Sequence, residues 1–152
     1  MAAHPGAFID GEWQQGGGAE FEVRNPFDDS LIGTVNAATD AQLEAAVAAA
    51  KAAFPAWRRT PLMTRVDICR RAYEICEERN PAIAEMIARE TGKTIREAIE
   101  EMEEFTDDHF RRASEDVIRY RGQVLPSTQE RKGSKRIMVV QEPIGVVAAV
   151  SP

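Results

Sequence analysis

The chain has 152 residues, a length typical of one domain, and its 43% hydrophobic and 29% charged residues are the composition of a globular protein. A formal net charge of −6 argues against a nucleic-acid surface, because such surfaces gain most of their affinity by neutralising phosphates. No apolar run reaches the ~18–20 residues of a membrane span, and residues 1–6 lack both the basic and the apolar region of a secretory signal.

The first 35 residues predict short antiparallel strands. Residues 8–13 contain an Asp-Gly turn, residues 21–24 alternate apolar and polar side chains, and residues 31–35 are rich in β-formers. The three glycines at 16–18 lack the strand-to-helix setting of a phosphate loop and predict a flexible turn. A small hairpin or β-meander is the simplest arrangement.

Residues 39–121 are predicted to form four helices. A capping box at Thr39 begins the first helix, and Pro55 is expected to end it. The second helix begins at the Thr-Pro pair that follows. Asn80 and the proline after it are expected to begin the third helix, which Gly92 would end as a left-handed C-cap.

The fourth helix begins at the capping box of Thr94 and Glu97 and is predicted to be the longest, ending at Gly122. Its predicted buried face is a stripe at helical spacing: Ala98, Met102, Phe105, His109, Ala113, Val117 and Tyr120. A histidine on such a stripe is expected to be a core or half-buried residue rather than a metal ligand.

The two cysteines, Cys69 and Cys76, lie on the predicted buried face of the second helix. Seven residues of helix separate their Cα atoms by ~10 Å, too far for a mutual disulfide. We expect reduced, buried thiols in a cytoplasmic protein. Neither cysteine has a nearby group that would stabilise a thiolate, so both are predicted to be structural.

No catalytic or metal site follows from residue spacing. The acidic run at residues 97–108 is interpreted as a solvated helix face, because the Glu-x-x-His motif of di-metal bundles fails at Thr106. A basic cluster could bind phosphate or RNA, but it lacks interleaved aromatic residues and is interpreted as a charged loop. The cluster consists of Arg131, Lys132, Lys135 and Arg136.

The last 30 residues predict a return to β-structure. Residues 123–126 and 137–141 are short strands, and residues 144–150 are an apolar, valine-rich run typical of a strand buried on both faces of a parallel sheet. Such a strand needs a parallel neighbour, which this sequence does not supply. The chain is therefore expected to be truncated within an α/β fold.

Motifs along nearly the whole chain resemble the aldehyde dehydrogenase family. They are FIDGEW at 8–13, NPFD at 25–28, KAAFPAW at 51–57, ETGKT at 90–94 and EPIGVVAAVSP at 142–152. The resemblance implies an α/β fold in which residues 1–122 form the amino-terminal part of the cofactor-binding domain. Residues 123–143 would be an oligomerisation ribbon, and residues 144–152 the first strand of a Rossmann-like sheet.

The resemblance also implies a function: oxidation of an aldehyde to a carboxylic acid with NAD or NADP. Val150, Ser151 and Pro152 match the strand end where the family places part of the dinucleotide, a position expected for a doubly wound sheet. No catalytic or metal-binding residue carries over, because the family's Trp-Asn-Phe/Tyr-Pro, nucleophilic cysteine and general-base glutamate would follow residue 152. The implied assembly is a homo-oligomer.

Other inferences from the resemblance are narrower. Some members hold a monovalent cation near the residues matching Val23 and Glu101, and residues 108–112 resemble the mouth of the substrate tunnel. Two alternatives stay open: a helical binding module that uses the acidic face, or a non-catalytic partner that pairs with a full-length dehydrogenase through residues 123–143.

Overall fold

The computed structural model describes residues 6–126 and 136–150. Within them, helices form the larger part, and three pairs of short strands form a smaller part. In chain order the elements are β1 (Gly6–Ile9), β2 (Glu12–Gln15), β3 (Glu20–Arg24), β4 (Leu31–Asn36), α1 (Asp40–Arg59), α2 (Leu62–Thr91), α3 (Ile95–Thr106), a π-helical segment (Asp107–Arg112), α4 (Ala113–Arg119), β5 (Gln123–Pro126) and β6 (Arg136–Val139).

The expected meander consists of two separate antiparallel hairpins, β1–β2 and β3–β4. Asp10 and Gly11 both have positive φ, 52° and 83°, as a two-residue type I′ turn requires. The glycine loop follows β2, and the N–H of Gly18 donates to the carbonyl of Ala37 at 2.8 Å. This hydrogen bond holds the loop beside the end of β4, and the two hairpins do not form one continuous sheet.

The capping box at Thr39 is confirmed, and its glutamine also fixes the first hairpin to α1. Gln42 donates from Nε2 to the carbonyl of Gln15 at 2.9 Å, and its Oε1 accepts the N–H groups of Gly17 and Thr39. One side chain therefore joins a helix N-terminus to a loop 25 residues earlier.

The prediction that Pro55 ends the first helix is wrong, because α1 continues to Arg59. Pro55 removes one backbone hydrogen bond, but it lies on the exposed side of the helix. The carbonyl of Lys51, which loses that bond, can therefore bind water instead.

The predicted helix start at Asn80 is wrong for a similar reason. α2 runs unbroken from Leu62 to Thr91, and Pro81 lies inside it on the exposed side. The side chain of Asn80 does not cap a helix but is buried, with 8% of its surface exposed. The left-handed cap at Gly92, with φ 75°, is confirmed.

The last predicted helix is correct in its start at Thr94 but not in its continuity or its buried face. α3 gives way to the π segment at Asp107, and α2, not α3, is the longest helix. Beyond Ala98 and Met102, the buried residues of α3 and α4 are Thr106 and Ser114 rather than the apolar stripe. The π segment changes the number of residues per turn and so moves the buried face.

The core lies between α2 and α3. Its buried members are Ala84, Ala98 and Met102, and the partly buried Ile83, Ile87, Ala88 and Ile99 pack around them. The two alanines let the helix backbones approach closely, and Met102 fills the space beside them. This antiparallel helix pair is the main packing unit of the described residues.

The prediction of a strand buried on both faces at residues 144–150 is not met by the structure. Residues 140–150, the terminal segment, belong to none of the three sheets, and Ile144 and Val150 are 94% and 97% exposed. The accessible surface of the chain is 12299 Å², about 1.6 times the value expected for a compact monomer of this mass. The chain therefore presents much apolar surface that its own residues do not cover.

Candidate functional site

Of the three residues assigned to cofactor contact, only Val150 lies in the terminal segment. Val150 is exposed, while Ser151 and Pro152 lie outside the described residues. The cofactor contact assigned to these three residues therefore stays a prediction.

One ion pair anchors the start of the terminal segment. Arg58 Nη2, near the end of α1, lies 3.1 Å from Glu142 Oε2, and the two residues are 84 positions apart in sequence. Gly145, three residues on, has a φ of 119°, which an L side chain rarely adopts. The apolar residues that follow belong to none of the three sheets.

The π segment carries a compact group of charges. Asp107 accepts hydrogen bonds from Arg111, with Nη2 at 2.6 Å, and forms an ion pair with Arg112 Nε at 3.0 Å. The hydrogen bond from Arg111 is the main reason that the pKa of Asp107 lies below its ordinary value, and the charges of both arginines add to it. Asp107 is therefore ionised at neutral pH.

His109 is exposed, which corrects the prediction of a core or half-buried histidine. Its Nδ1 lies 3.0 Å from the Phe105 carbonyl, and its ring stacks on the Phe105 ring at 4.5 Å between centroids. Phe110 meets the same ring edge-on at 5.9 Å. This aromatic group spans the end of α3 and the π segment.

The acidic face of α3 is solvated, as predicted. Lys93 forms an ion pair with Glu101, and Arg96 lies 3.3 Å from Glu100. Glu97 is committed to the helix cap, where the hydroxyl of Thr94 lowers its pKa. Among residues 6–126 and 136–150, no three His, Cys, Asp or Glu side chains lie close enough to share a metal ion. Glu101, one of the two residues named for a monovalent cation, forms its ion pair with Lys93 instead.

β5 and β6 form the predicted ribbon as an antiparallel pair in which Gln123 lies opposite Val139 and Pro126 opposite Arg136. Val124 and Met138, which face each other across the ladder, are about 70% exposed. Three members of the basic cluster, Arg131, Lys132 and Lys135, lie outside the described residues. The ribbon has the apolar surface of an interface, and its pairing with another subunit stays a prediction.

Two features of the site region have no signal in the local sequence. A cavity of about 520 Å³ is lined by residues of both the β3–β4 turn and the α2–α3 junction, among them Phe27, Arg89 and Lys93. The Arg58–Glu142 pair joins residues too distant for any helical or strand spacing to indicate. Cys69 and Cys76 are both free, but they are half-buried rather than buried as predicted.

Comparison with known proteins identifies the class. The profile of the Aldehyde dehydrogenase family matches residues 13–152. N-succinylglutamate 5-semialdehyde dehydrogenase of Serratia proteamaculans (strain 568) is 43% identical over 101 residues, which cover 66% of this chain and 21% of that protein.

Solved structures agree with this match. Succinate-semialdehyde dehydrogenase from Burkholderia pseudomallei superimposes with a TM-score of 0.83 and 33% identity, over 92% of this chain and 28% of the other. An NAD-dependent benzaldehyde dehydrogenase from Corynebacterium glutamicum superimposes with a TM-score of 0.77 and 30% identity, over 84% of this chain and 28% of the other.

The chain belongs to the aldehyde dehydrogenase family, which confirms the resemblance read from its motifs. The likeness to these structures also confirms the fold class, the amino-terminal part of an aldehyde dehydrogenase. The chain spans less than a third of the length of each relative named above. Within the part of the chain that the structure describes, no helix is long and apolar enough to cross a membrane.

Proposed function

We propose that this chain supplies the amino-terminal part of an NAD(P)-dependent aldehyde dehydrogenase and does not catalyse the reaction alone. The observation that carries the proposal is the match itself: it covers 92% of this chain but only 28% of a superimposed dehydrogenase. The exposed, unpaired terminal segment supports it, since an apolar run of this kind is stable only where neighbouring strands satisfy its backbone.

Each part of the chain then has a role in the complete enzyme. Residues 1–122 are the helical and hairpin part of the cofactor-binding domain, residues 123–143 pair subunits of a homo-oligomer, and residues 144–152 begin the dinucleotide-binding sheet. Val150, Ser151 and Pro152 end that strand, where NAD or NADP would be held. The free, half-buried cysteines support a reducing, cytoplasmic location.

The substrate is an aldehyde. Two of the relatives compared above are named for semialdehydes, so succinate semialdehyde is a suitable first probe. The chemistry requires a nucleophilic cysteine to attack the aldehyde, hydride transfer to the nicotinamide, and a glutamate to activate water for thioester hydrolysis. Cys69 and Cys76 are residues of α2 and do not correspond to that nucleophile. We therefore place these steps outside this chain.

Two alternatives differ from this proposal in what the purified chain would do. A self-sufficient helical binding module would be a monomer with a covered core, but the accessible surface of this chain is about 1.6 times that of a compact monomer. A non-catalytic partner would use the exposed ribbon to bind a full-length dehydrogenase, and the two would copurify.

The experiment measures NADH or NADPH formation from succinate semialdehyde. The purified chain is assayed alone and after refolding with a carboxyl-terminal fragment of the Serratia relative that begins after the matching region, and the intact relative is the positive control. We expect no turnover by the chain alone and measurable turnover after co-refolding. Turnover by the chain alone at the rate of the control would overturn the proposal, as would failure of the co-refolded pair to bind each other.

A further inference from the structure

We draw no further inference here: the strongest candidate, the cavity of about 520 Å³ lined by residues of the β3–β4 turn and the α2–α3 junction, rests on the amino terminus of α3 beside Arg89 and Lys93, and no second observation among the described residues points to a ligand there.

Discussion

Gly92→Ala tests how the β3–β4 hairpin is held against the helical layer. Gly92 ends α2 with a φ of 75° and an N–H that donates to the Ala88 carbonyl at 3.0 Å. A Cβ at this position would lie 2.9 Å from Cγ of Pro26, in the turn after β3. An alanine here must therefore adopt a left-handed conformation and also displace the hairpin.

The left-handed conformation costs about 1–2 kcal/mol for a residue with a Cβ, and the forced contact adds about 1 kcal/mol. For a chain of this size, a total of about 2–3 kcal/mol lowers the unfolding midpoint by roughly 5–10 °C. Gly33→Ala is the matched control, because its φ is not positive and no heavy atom lies within 4 Å of its Cβ. We expect its midpoint to equal that of the parent or to rise slightly.

Thermal unfolding followed by circular dichroism measures the midpoints of both variants. Two further variants separate the cost of the left-handed conformation from the cost of the contact with Pro26. Gly92→Asn should recover part of the loss, because asparagine tolerates the left-handed region better than alanine. Pro26→Ala should partly rescue Gly92→Ala, because it removes the contacting Cγ. An equal midpoint for Gly92→Ala and Gly33→Ala would refute the reasoning.

Three further outcomes follow from the packing and the charges. Met102→Ala should lower the free energy of unfolding by about 2–5 kcal/mol in urea titrations, while the exposed Glu103→Ala changes it by less than about 0.5 kcal/mol. The pKa of Asp107 is lower in the folded chain than in the unfolded chain. The ionised carboxylate therefore stabilises the fold fully above pH ~4, the pKa in the unfolded chain, and this stabilisation is lost as the pH falls through the pKa in the folded chain. The stability difference between the parent and Asp107→Asn should therefore shrink between pH 6 and pH 3, and a constant difference would contradict this assignment. Arg58→Gln should speed proteolysis beside Glu142 with little change in the unfolding midpoint, and equal cleavage rates would show that the ion pair does not anchor the terminal segment.

Local signals in the sequence predicted the elements that depend on local contacts. The capping boxes at Thr39 and Thr94 and the glycine cap at Gly92 are where the residue pattern places them. Each satisfies free N–H or C=O groups with side chains or backbone within a few residues, so a short window of sequence contains the whole interaction.

The same signals failed where tertiary packing competes with them. Asn80 and its proline have the form of a helix start, yet α2 continues through them, with Asn80 buried and the proline exposed. The π segment has no composition of its own that would reveal it. Beyond it, Ser114 is buried and Ala113 is exposed.

The candidate site depends even more on distant residues. Glu142 meets Arg58 from 84 residues away, which no spacing rule detects. The apolar composition of residues 144–150 predicts a buried strand, although the sequence supplies no parallel neighbour for it. An apolar composition indicates that such a segment is stable when it is buried. In the structure, the described residues leave it exposed.

The most direct test of the proposed function is the nucleotide sequence that follows the codon for Pro152 in the source DNA. The proposal that this chain is the amino-terminal part of an aldehyde dehydrogenase predicts an open reading frame that continues with Trp-Asn-Phe/Tyr-Pro and later encodes a nucleophilic cysteine. A stop codon directly after Pro152, with no such sequence resuming downstream, would contradict it.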